Sequence, residues 1–231
     1  QRVSGSVTLP GSKSMTNRSL LLAVVAEGET LVTNVLLSDD TQRMLDALAQ
    51  LGVQVDIDQS LRQCRVLGKG GPFPAPAKTQ TLQLGNAGTV LRPLTAMLAL
   101  TPGDFIIDGD AYMRERPIGP LTDALHAMDV STTSLGAAGY PPFHLRGGTL
   151  KGGALTLDGR LSSQYLTALL LSLPMGAVPS TIDIDGELVS KPYIDMTLAM
   201  MSTFGVQAGH TDYERFTCLL YTSPSPRDGL L

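Results

Sequence analysis

The sequence repeats itself three times at a fixed spacing, and this repeat constrains the fold more than any other feature. Apolar runs typical of helices begin at Ser14, Gly88 and Ser162, so each start follows the previous one by 74 residues. A strand-like run follows each of these helices, and a second helix follows each strand. The strand-like runs are Glu29–Val35, Asp104–Gly109 and Ser180–Gly186, and the second helices are Asp39–Gly52, Gly119–Met128 and Pro192–Gly205.

Each copy of the repeat also ends in alternating stretches, the pattern of an antiparallel strand pair. In the first copy these stretches are Val55–Asp58 and Arg62–Gly68. With a strand ahead of each first helix, every copy reads βαβαββ. We therefore predict an α/β domain of three repeated βαβαββ units around a pseudo-threefold axis, at about residues 10–75, 76–150 and 151–217. A chain of 231 residues, 43% of them hydrophobic, is long enough to bury its core.

The repeat also predicts where a ligand binds. Around such an axis the three first helices point their N-termini at one spot, where unpaired N–H groups and positive dipole ends attract an anion. The first of these starts carries the cations Lys13 and Arg18, although its sequence LPGSKSMTNR does not match the nucleotide P-loop G-x-x-x-x-G-K-[ST]. Small and hydroxyl-bearing residues dominate all three starts, which are Gly11–Ser14, Gly85–Thr89 and Leu161–Gln164.

Each of these motifs has an ordinary structural alternative, which spacing alone leaves open. Lys13 and Arg18 also suit a solvated surface pair, and Asn86–Gly88 also suits a plain glycine turn. Arg116 either points its guanidinium at the site or joins a surface ion pair, and Arg92 either caps a helix or packs against one. The serines ahead of the later helices suit N-caps.

Several other classes of protein are disfavoured by composition. A net charge of −4, without tryptophan or a basic run, argues against nucleic-acid binding. The longest apolar runs are too short to span a bilayer, and the first residues lack the pattern of a signal peptide, so we predict a cytoplasmic protein without a membrane partner. Two cysteines and three scattered histidines form no metal-ligand or Ser/His/Asp spacing. We expect no metal, no cofactor and no catalytic acid/base pair in this chain.

Five motifs in order, LPGSKSMTNR, LGNAGTVLRP, RERPIG, SSQYLTALL and GELVSKPYID, resemble the 3-phosphoshikimate 1-carboxyvinyltransferase (EPSP synthase) family, from about Val7 to Phe216. The resemblance implies a transferase of the shikimate pathway, in aromatic amino acid biosynthesis. Such an enzyme moves the enolpyruvyl group of phosphoenolpyruvate to the 5-hydroxyl of shikimate 3-phosphate and releases phosphate, without a cofactor. It also implies a monomer of two globes, of which this chain is the N-terminal one. Residues 1–9 are then a strand that packs on the other globe.

The resemblance assigns binding residues but no catalytic ones, because the family's acid/base carboxylates lie in the C-terminal globe. The chain is then half of an active site, expected to bind shikimate 3-phosphate weakly and to be inactive alone. The residues implied for shikimate 3-phosphate are Lys13, Ser14, Arg18, Ser162, Ser163, Gln164, Ser190 and Tyr193. Those implied for phosphoenolpyruvate are Lys13, Gly88, Arg116 and Gln164.

Two alternatives and one departure from the family accompany this interpretation. The sister transferase acting on UDP-N-acetylglucosamine carries a cysteine in the loop that corresponds to Asp110–Pro120, and this loop has none. A non-catalytic module that binds phosphorylated metabolites stays open. Residues 218–231 leave the family pattern, and their CLLYTSPSPRD portion resembles a translated sequencing adapter, so we predict a non-native tail there.

Overall fold

Each repeat unit forms a β-sheet of its own, and six helices pack between and against the three sheets. The computed structural model describes residues 4–7 and 9–221. The helices are α1 (Lys13–Val25), α2 (Asp39–Gln50), α3 (Gly88–Leu98), α4 (Gly119–His126), α5 (Ser163–Ser172) and α6 (Lys191–Thr203). The strands are β1 (Glu27–Val32), β2 (Val55–Asp58), β3 (Gln63–Lys69), β4 (Gln80–Gln83), β5 (Gly103–Asp108), β6 (Ser131–Ser134), β7 (Phe143–Gly147), β8 (Ala154–Asp158), β9 (Ser180–Asp185), β10 (Ala208–Thr211) and β11 (Arg215–Cys218).

The second and third units share one topology. In the second, β4 pairs parallel with β5, and β7 pairs antiparallel with both β5 and β6. In the third, β8 pairs parallel with β9, and β11 pairs antiparallel with both β9 and β10. Because α3 and α5 each connect a parallel strand pair, both units follow the predicted order βαβαββ. The α/β fold class read from the repeat is confirmed.

The first unit differs from the other two by one strand. Its sheet has the order β1-β3-β2, and no described residue pairs with β1 where β4 and β8 lie in the other units. The chain ahead of α1 forms no strand over the described residues, and its side chains Val7 and Leu9 are 84% and 74% exposed. The domain therefore leaves residues 4–7 and 9 of the predicted N-terminal strand exposed, and packing of residues 1–9 on a second globe stays a prediction.

The first helix of each unit lies in the interior. In α1, every residue from Thr16 to Val25 is buried, and α3 and α5 are also buried on nearly every side. A helix that is apolar on all faces is typical of such a central position, whereas α2 keeps its buried residues on one face. Replacing a buried leucine of these helices, such as Leu94, by alanine costs about 2–5 kcal/mol.

The end of the described chain packs onto the domain. Cys218 is the last residue of β11 and is buried, so the strand extends one residue past the predicted boundary at 217. The N–H of Leu219 donates to the carbonyl of Gln207 at 3.0 Å, and that of Tyr221 to Pro174 at 2.8 Å. Most of the predicted tail, 222–231, and residues 1–3 and 8 lie outside the described part. No helix within it is long and apolar enough to cross a membrane.

Candidate functional site

The three first helices meet near their N-termini, and a side-chain hydrogen bond joins each pair of them. This arrangement brings together the three helix starts that the 74-residue repeat predicted to converge. The bonds are Asn17 Nδ2 to Thr89 Oγ1 at 3.0 Å between α1 and α3, Arg18 Nη2 to Thr167 Oγ1 at 3.2 Å between α1 and α5, and Arg92 Nη1 to Gln164 Oε1 between α3 and α5.

A polar cavity of about 820 Å³ opens beside these helix starts. Its volume falls in the range of pockets that bind small metabolites. All four residues predicted for phosphoenolpyruvate line it, so the structure brings them together although they come from three different units. The lining includes Lys13, Asp40, Asn86, Gly88, Arg116 and Gln164.

Arg116 lies directly over the N-terminus of α3. Its Nη1 donates to the backbone carbonyl and to the side-chain oxygen of Asn86, at 3.2 and 3.1 Å. A Cβ atom on Gly88 would lie 2.7 Å from Arg116 Nη2, so a larger residue there would displace the guanidinium from this position. The N-cap Ala87 provides no side-chain cap. A cation placed at an uncapped, positive helix end favours a bound anion between them.

The two arginines of the RERP motif have different partners. Arg114 donates from Nε and Nη2 to both oxygens of the buried Asp108, at 2.9 and 2.6 Å. Burial by itself raises the pKa of Asp108, but the bonds from Arg114, Gln83 and the Gly109 N–H outweigh it and hold that pKa below its usual value. Arg114 therefore stabilises the fold, and Arg116 faces the cavity.

Lys13 is held at the cavity wall by Asp40, whose role the sequence did not reveal. Lys13 Nζ lies 3.1 Å from Asp40 Oδ2, which also accepts a hydrogen bond from Thr89 Oγ1 at 2.8 Å. Asp40 lies in the first turn of α2, between the capping-box residues Ser38 and Thr41. The repeat is the sequence feature that could have indicated this position for Asp40, because the second helices begin at the same end of the units as the first helices.

Arg92, whose role spacing left open, packs between α3 and α5 and orients Gln164. It is 5% exposed, and its Nη2 donates to the carbonyl of Pro117 at 3.2 Å. Tyr165 OH donates to the same carbonyl at 2.7 Å, and its ring centroid lies 5.1 Å from the guanidinium carbon. An arginine can only donate, so the Gln164 atom facing it is the oxygen, and the amide N–H groups are left for the cavity that Gln164 lines.

Arg18, one of the residues predicted for shikimate 3-phosphate, is almost completely enclosed. It is 6% exposed, and its Nη1 donates to the carbonyl of Ser14 at 2.9 Å. Burial lowers the pKa of Arg18 to about 10, and Tyr193 offsets part of that effect. Lys13 and Gln164 from the same predicted set line the cavity.

The remaining members of that set lie at the starts of α5 and α6. Ser162 caps α5 by accepting from the Gln164 N–H at 3.2 Å, and Ser163 is buried in its first turn. Ser190 is the N-cap residue of α6, with a left-handed backbone (φ 57°) and no side-chain cap bond, and its carbonyl accepts from the Tyr193 N–H at 3.0 Å. Ser162 is therefore an N-cap, as the structural alternative predicted, and this role is compatible with a contact to a ligand. The described residues contain no group of three or more potential metal ligands.

Comparison with known proteins places this geometry in a family. Residues 1–219 match the family described as EPSP synthase (3-phosphoshikimate 1-carboxyvinyltransferase). The chain belongs to the EPSP synthase family. It is 50% identical over 214 residues to the 3-phosphoshikimate 1-carboxyvinyltransferase of Sulfurovum sp. (strain NBC37-1), covering 93% of this chain and 50% of that protein. The Cronobacter sakazakii enzyme of the same name is 50% identical over 215 residues, with the same coverage.

Solved structures agree with this assignment. EPSP synthase from Acinetobacter baumannii superposes with a TM-score of 0.83 at 27% identity, covering 95% of this chain and 48% of that one. The enolpyruvyl transferase NikO from Streptomyces tendae, at 15% identity and a TM-score of 0.66, shares the fold. The chain therefore spans about half the length of the EPSP synthases it matches, and the resemblance drawn from the five motifs is confirmed.

Proposed function

We propose that the complete protein transfers the enolpyruvyl group of phosphoenolpyruvate to the 5-hydroxyl of shikimate 3-phosphate and releases phosphate, and that this chain supplies half of the active site. One observation carries the proposal. The guanidinium of Arg116 packs over the uncapped start of α3 at Gly88, in the cavity that Lys13 and Gln164 also line. Two cations, an amide donor and a free helix end in one cavity suit a ligand with both phosphate and carboxylate groups.

The described residues can bind and orient substrates. Arg116 offers a forked pair of donors, and Lys13 offers a compact charge that an anion can draw from Asp40. Gln164 donates amide N–H groups whose direction Arg92 fixes. When a second globe closes the cavity and excludes water, each of these contacts strengthens because the local dielectric constant falls.

Proton transfer requires carboxylates other than the described residues discussed above. In the ligand-free chain Asp40 pairs with Lys13 and accepts from Thr89, and Asp108 pairs with Arg114. Addition of the 5-hydroxyl to the enolpyruvyl carbon, followed by loss of phosphate, needs a group that delivers and removes protons. We place that group in the half of the protein that this chain does not contain, as the family resemblance implied. The cytoplasmic location and the monomeric complete enzyme stay predictions.

Ligand titration of the purified chain tests the proposal. Calorimetry with shikimate 3-phosphate should show one saturable site and no turnover when phosphoenolpyruvate is added. Arg116→Gln should weaken the binding of phosphoenolpyruvate in the presence of shikimate 3-phosphate. Arg65→Gln is the matched control, because Arg65 lies on β3 and pairs with Glu29, away from the cavity. A preference for UDP-N-acetylglucosamine over shikimate 3-phosphate would contradict the proposal, and turnover by the chain alone would contradict its division between two halves.

A further inference from the structure

The guanidinium of Arg18 is buried yet paired only with neutral oxygens. Its Nε donates to Thr197 Oγ1 at 2.8 Å, its Nη2 to Thr167 Oγ1 at 3.2 Å and its Nη1 to the Ser14 carbonyl at 2.9 Å. None of the ion pairs formed within the described part of the chain includes Arg18. A charge taken out of water without an opposite charge is costly, so this arrangement calls for a reason other than fold stability.

The two threonine hydroxyls form a chain with a defined direction. Thr197, on α6, is fully buried, and its hydroxyl donates to the carbonyl of Tyr193 at 2.7 Å. Its single proton is therefore used, and its oxygen faces Arg18 as an acceptor. Thr167, on α5, lies 3.4 Å from Thr197 and so donates to it, while its own oxygen accepts from Arg18 Nη2. Both hydroxyls are fixed as acceptors for the same guanidinium.

The donor count of Arg18 leaves two N–H groups unused. A guanidinium carries five N–H donors, and Thr197, Thr167 and Ser14 take one each. The remaining two are one on Nη1 and one on Nη2, and charged donors of this kind bind the oxygens of a carboxylate or phosphate. Arg114 is the contrast within this chain, because Asp108 occupies both ends of its fork and neutralises its charge.

We propose that Thr167 and Thr197 are positioning residues, which fix the Arg18 guanidinium while leaving its charge and two of its N–H donors for an anionic group of the ligand. A carboxylate in place of either hydroxyl would hold the arginine as well but would neutralise it. The hydroxyls also connect three helices, since Arg18 is on α1, so the packing of α1, α5 and α6 sets the position of the guanidinium. The identity of the ligand rests on the proposed function, and the positioning role does not.

The first test needs no ligand. The Arg18 Nε–H gives a separate nitrogen–proton NMR signal, assigned by its loss in Arg18→Lys, and its bond to Thr197 should protect it from exchange with water. Thr197→Val keeps the shape and removes the acceptor, so the signal should shift and exchange at least about tenfold faster. Thr197→Ser should restore it. Thr95→Val is the matched control, because Thr95 is fully buried in α3 and donates to Leu91 without touching Arg18.

The second test titrates the same variants with shikimate 3-phosphate and with inorganic phosphate. Thr197→Val and Thr167→Val should weaken binding of shikimate 3-phosphate about tenfold or more, and Thr197→Ser and Thr95→Val by less than about twofold. An unchanged Nε–H signal and unchanged affinity in Thr197→Val would overturn the positioning role, as would a Thr197→Ser variant that fails to restore either. If the unmodified chain binds no shikimate 3-phosphate, the proposed function fails while the NMR result still decides the role of the threonines.

Discussion

Arg18 and Arg92 occupy equivalent positions in the first helices of two repeat units, 74 residues apart, and both guanidinium groups are buried with hydrogen bonds only to neutral oxygens. The third unit has Leu166 at that position. Burial is the main cause that lowers the pKa of both arginines, and Arg116 lowers that of Arg92 further. Two uncompensated cations thus lie near the helix starts of a chain whose net charge is −4. Local geometry rather than the overall field makes this place suitable for anions.

The first prediction follows from the cost of the buried charge. Arg18→Met should stabilise the ligand-free chain by about 1–3 kcal/mol, because an apolar side chain of similar length removes the desolvation cost. The two threonine hydroxyls keep each other and the Tyr193 carbonyl as partners, so no orphaned group results. The same variant should lose shikimate 3-phosphate binding. Thermal unfolding and calorimetry measure the two effects.

Arg65→Met provides the comparison for this change. Arg65 is exposed and paired with Glu29, so its replacement should alter stability by less than about 0.5 kcal/mol and leave binding intact. A lower unfolding midpoint for Arg18→Met would show that Arg18 is there for stability, against the prediction.

The second prediction uses the contact between Arg92 and Gln164. Gln164→Glu keeps the shape and gives Arg92 a carboxylate partner in a mostly buried position, so stability should rise by about 1–2 kcal/mol. The same change removes the amide donors and adds a negative charge at the cavity wall, so affinity for phosphoenolpyruvate should fall at least about tenfold. Urea unfolding and ligand titration follow the two effects in parallel. Equal affinity in the variant would mean that Gln164 does not donate to the ligand.

The third prediction concerns the space that Gly88 leaves for Arg116. Gly88→Ala should displace the guanidinium and weaken phosphoenolpyruvate binding, while the binding of shikimate 3-phosphate changes less. Helix propensity favours alanine over glycine, so the loss should not come from unfolding. Gly148→Ala is the control, because no atom lies within 4 Å of the Cβ it would add. Titration of both variants with both ligands tests this prediction. An equal loss of affinity for the two ligands in Gly88→Ala would contradict the placement of Arg116.

Much of the fold could be predicted from the sequence because it is encoded locally and three times. Periodicity and the fixed spacing gave the three first helices, and the strand Val55–Asp58 has the same bounds in prediction and structure. The same spacing relates two arginines, because Arg92 lies 74 residues after Arg18 and shares its burial. For Arg92, the repeat therefore favours packing near the helix starts, as for Arg18, rather than capping a helix.

The partners of the site residues could not be predicted, because they come from distant parts of the chain. Thr197 lies 179 residues from Arg18, and no spacing pattern links a threonine inside one helix to an arginine inside another. In the RERP motif, spacing leaves open whether Arg116 faces the cavity or joins a surface ion pair, and it does not reveal the partner of Arg114. Only the position of the buried Asp108 decides that Arg114 is the structural one.

The fourth prediction is an acid-sensitive stability that depends on Asp108. Its folded-state pKa is lowered, so between that value and the unfolded-state pKa of about 4 the unfolded chain binds more protons than the folded one. The stabilisation is thus complete above about pH 4 and is lost as the pH falls through the folded-state pKa. Urea midpoints measured from pH 7 to pH 3 should fall in the parent chain, and Asp108→Asn should lower the midpoint at pH 7 and flatten the decline. Asp183→Asn, which breaks the exposed pair with Arg215, should flatten it less. If the urea midpoint falls equally with pH in Asp108→Asn and in the parent chain, other carboxylates control the loss of stability in acid.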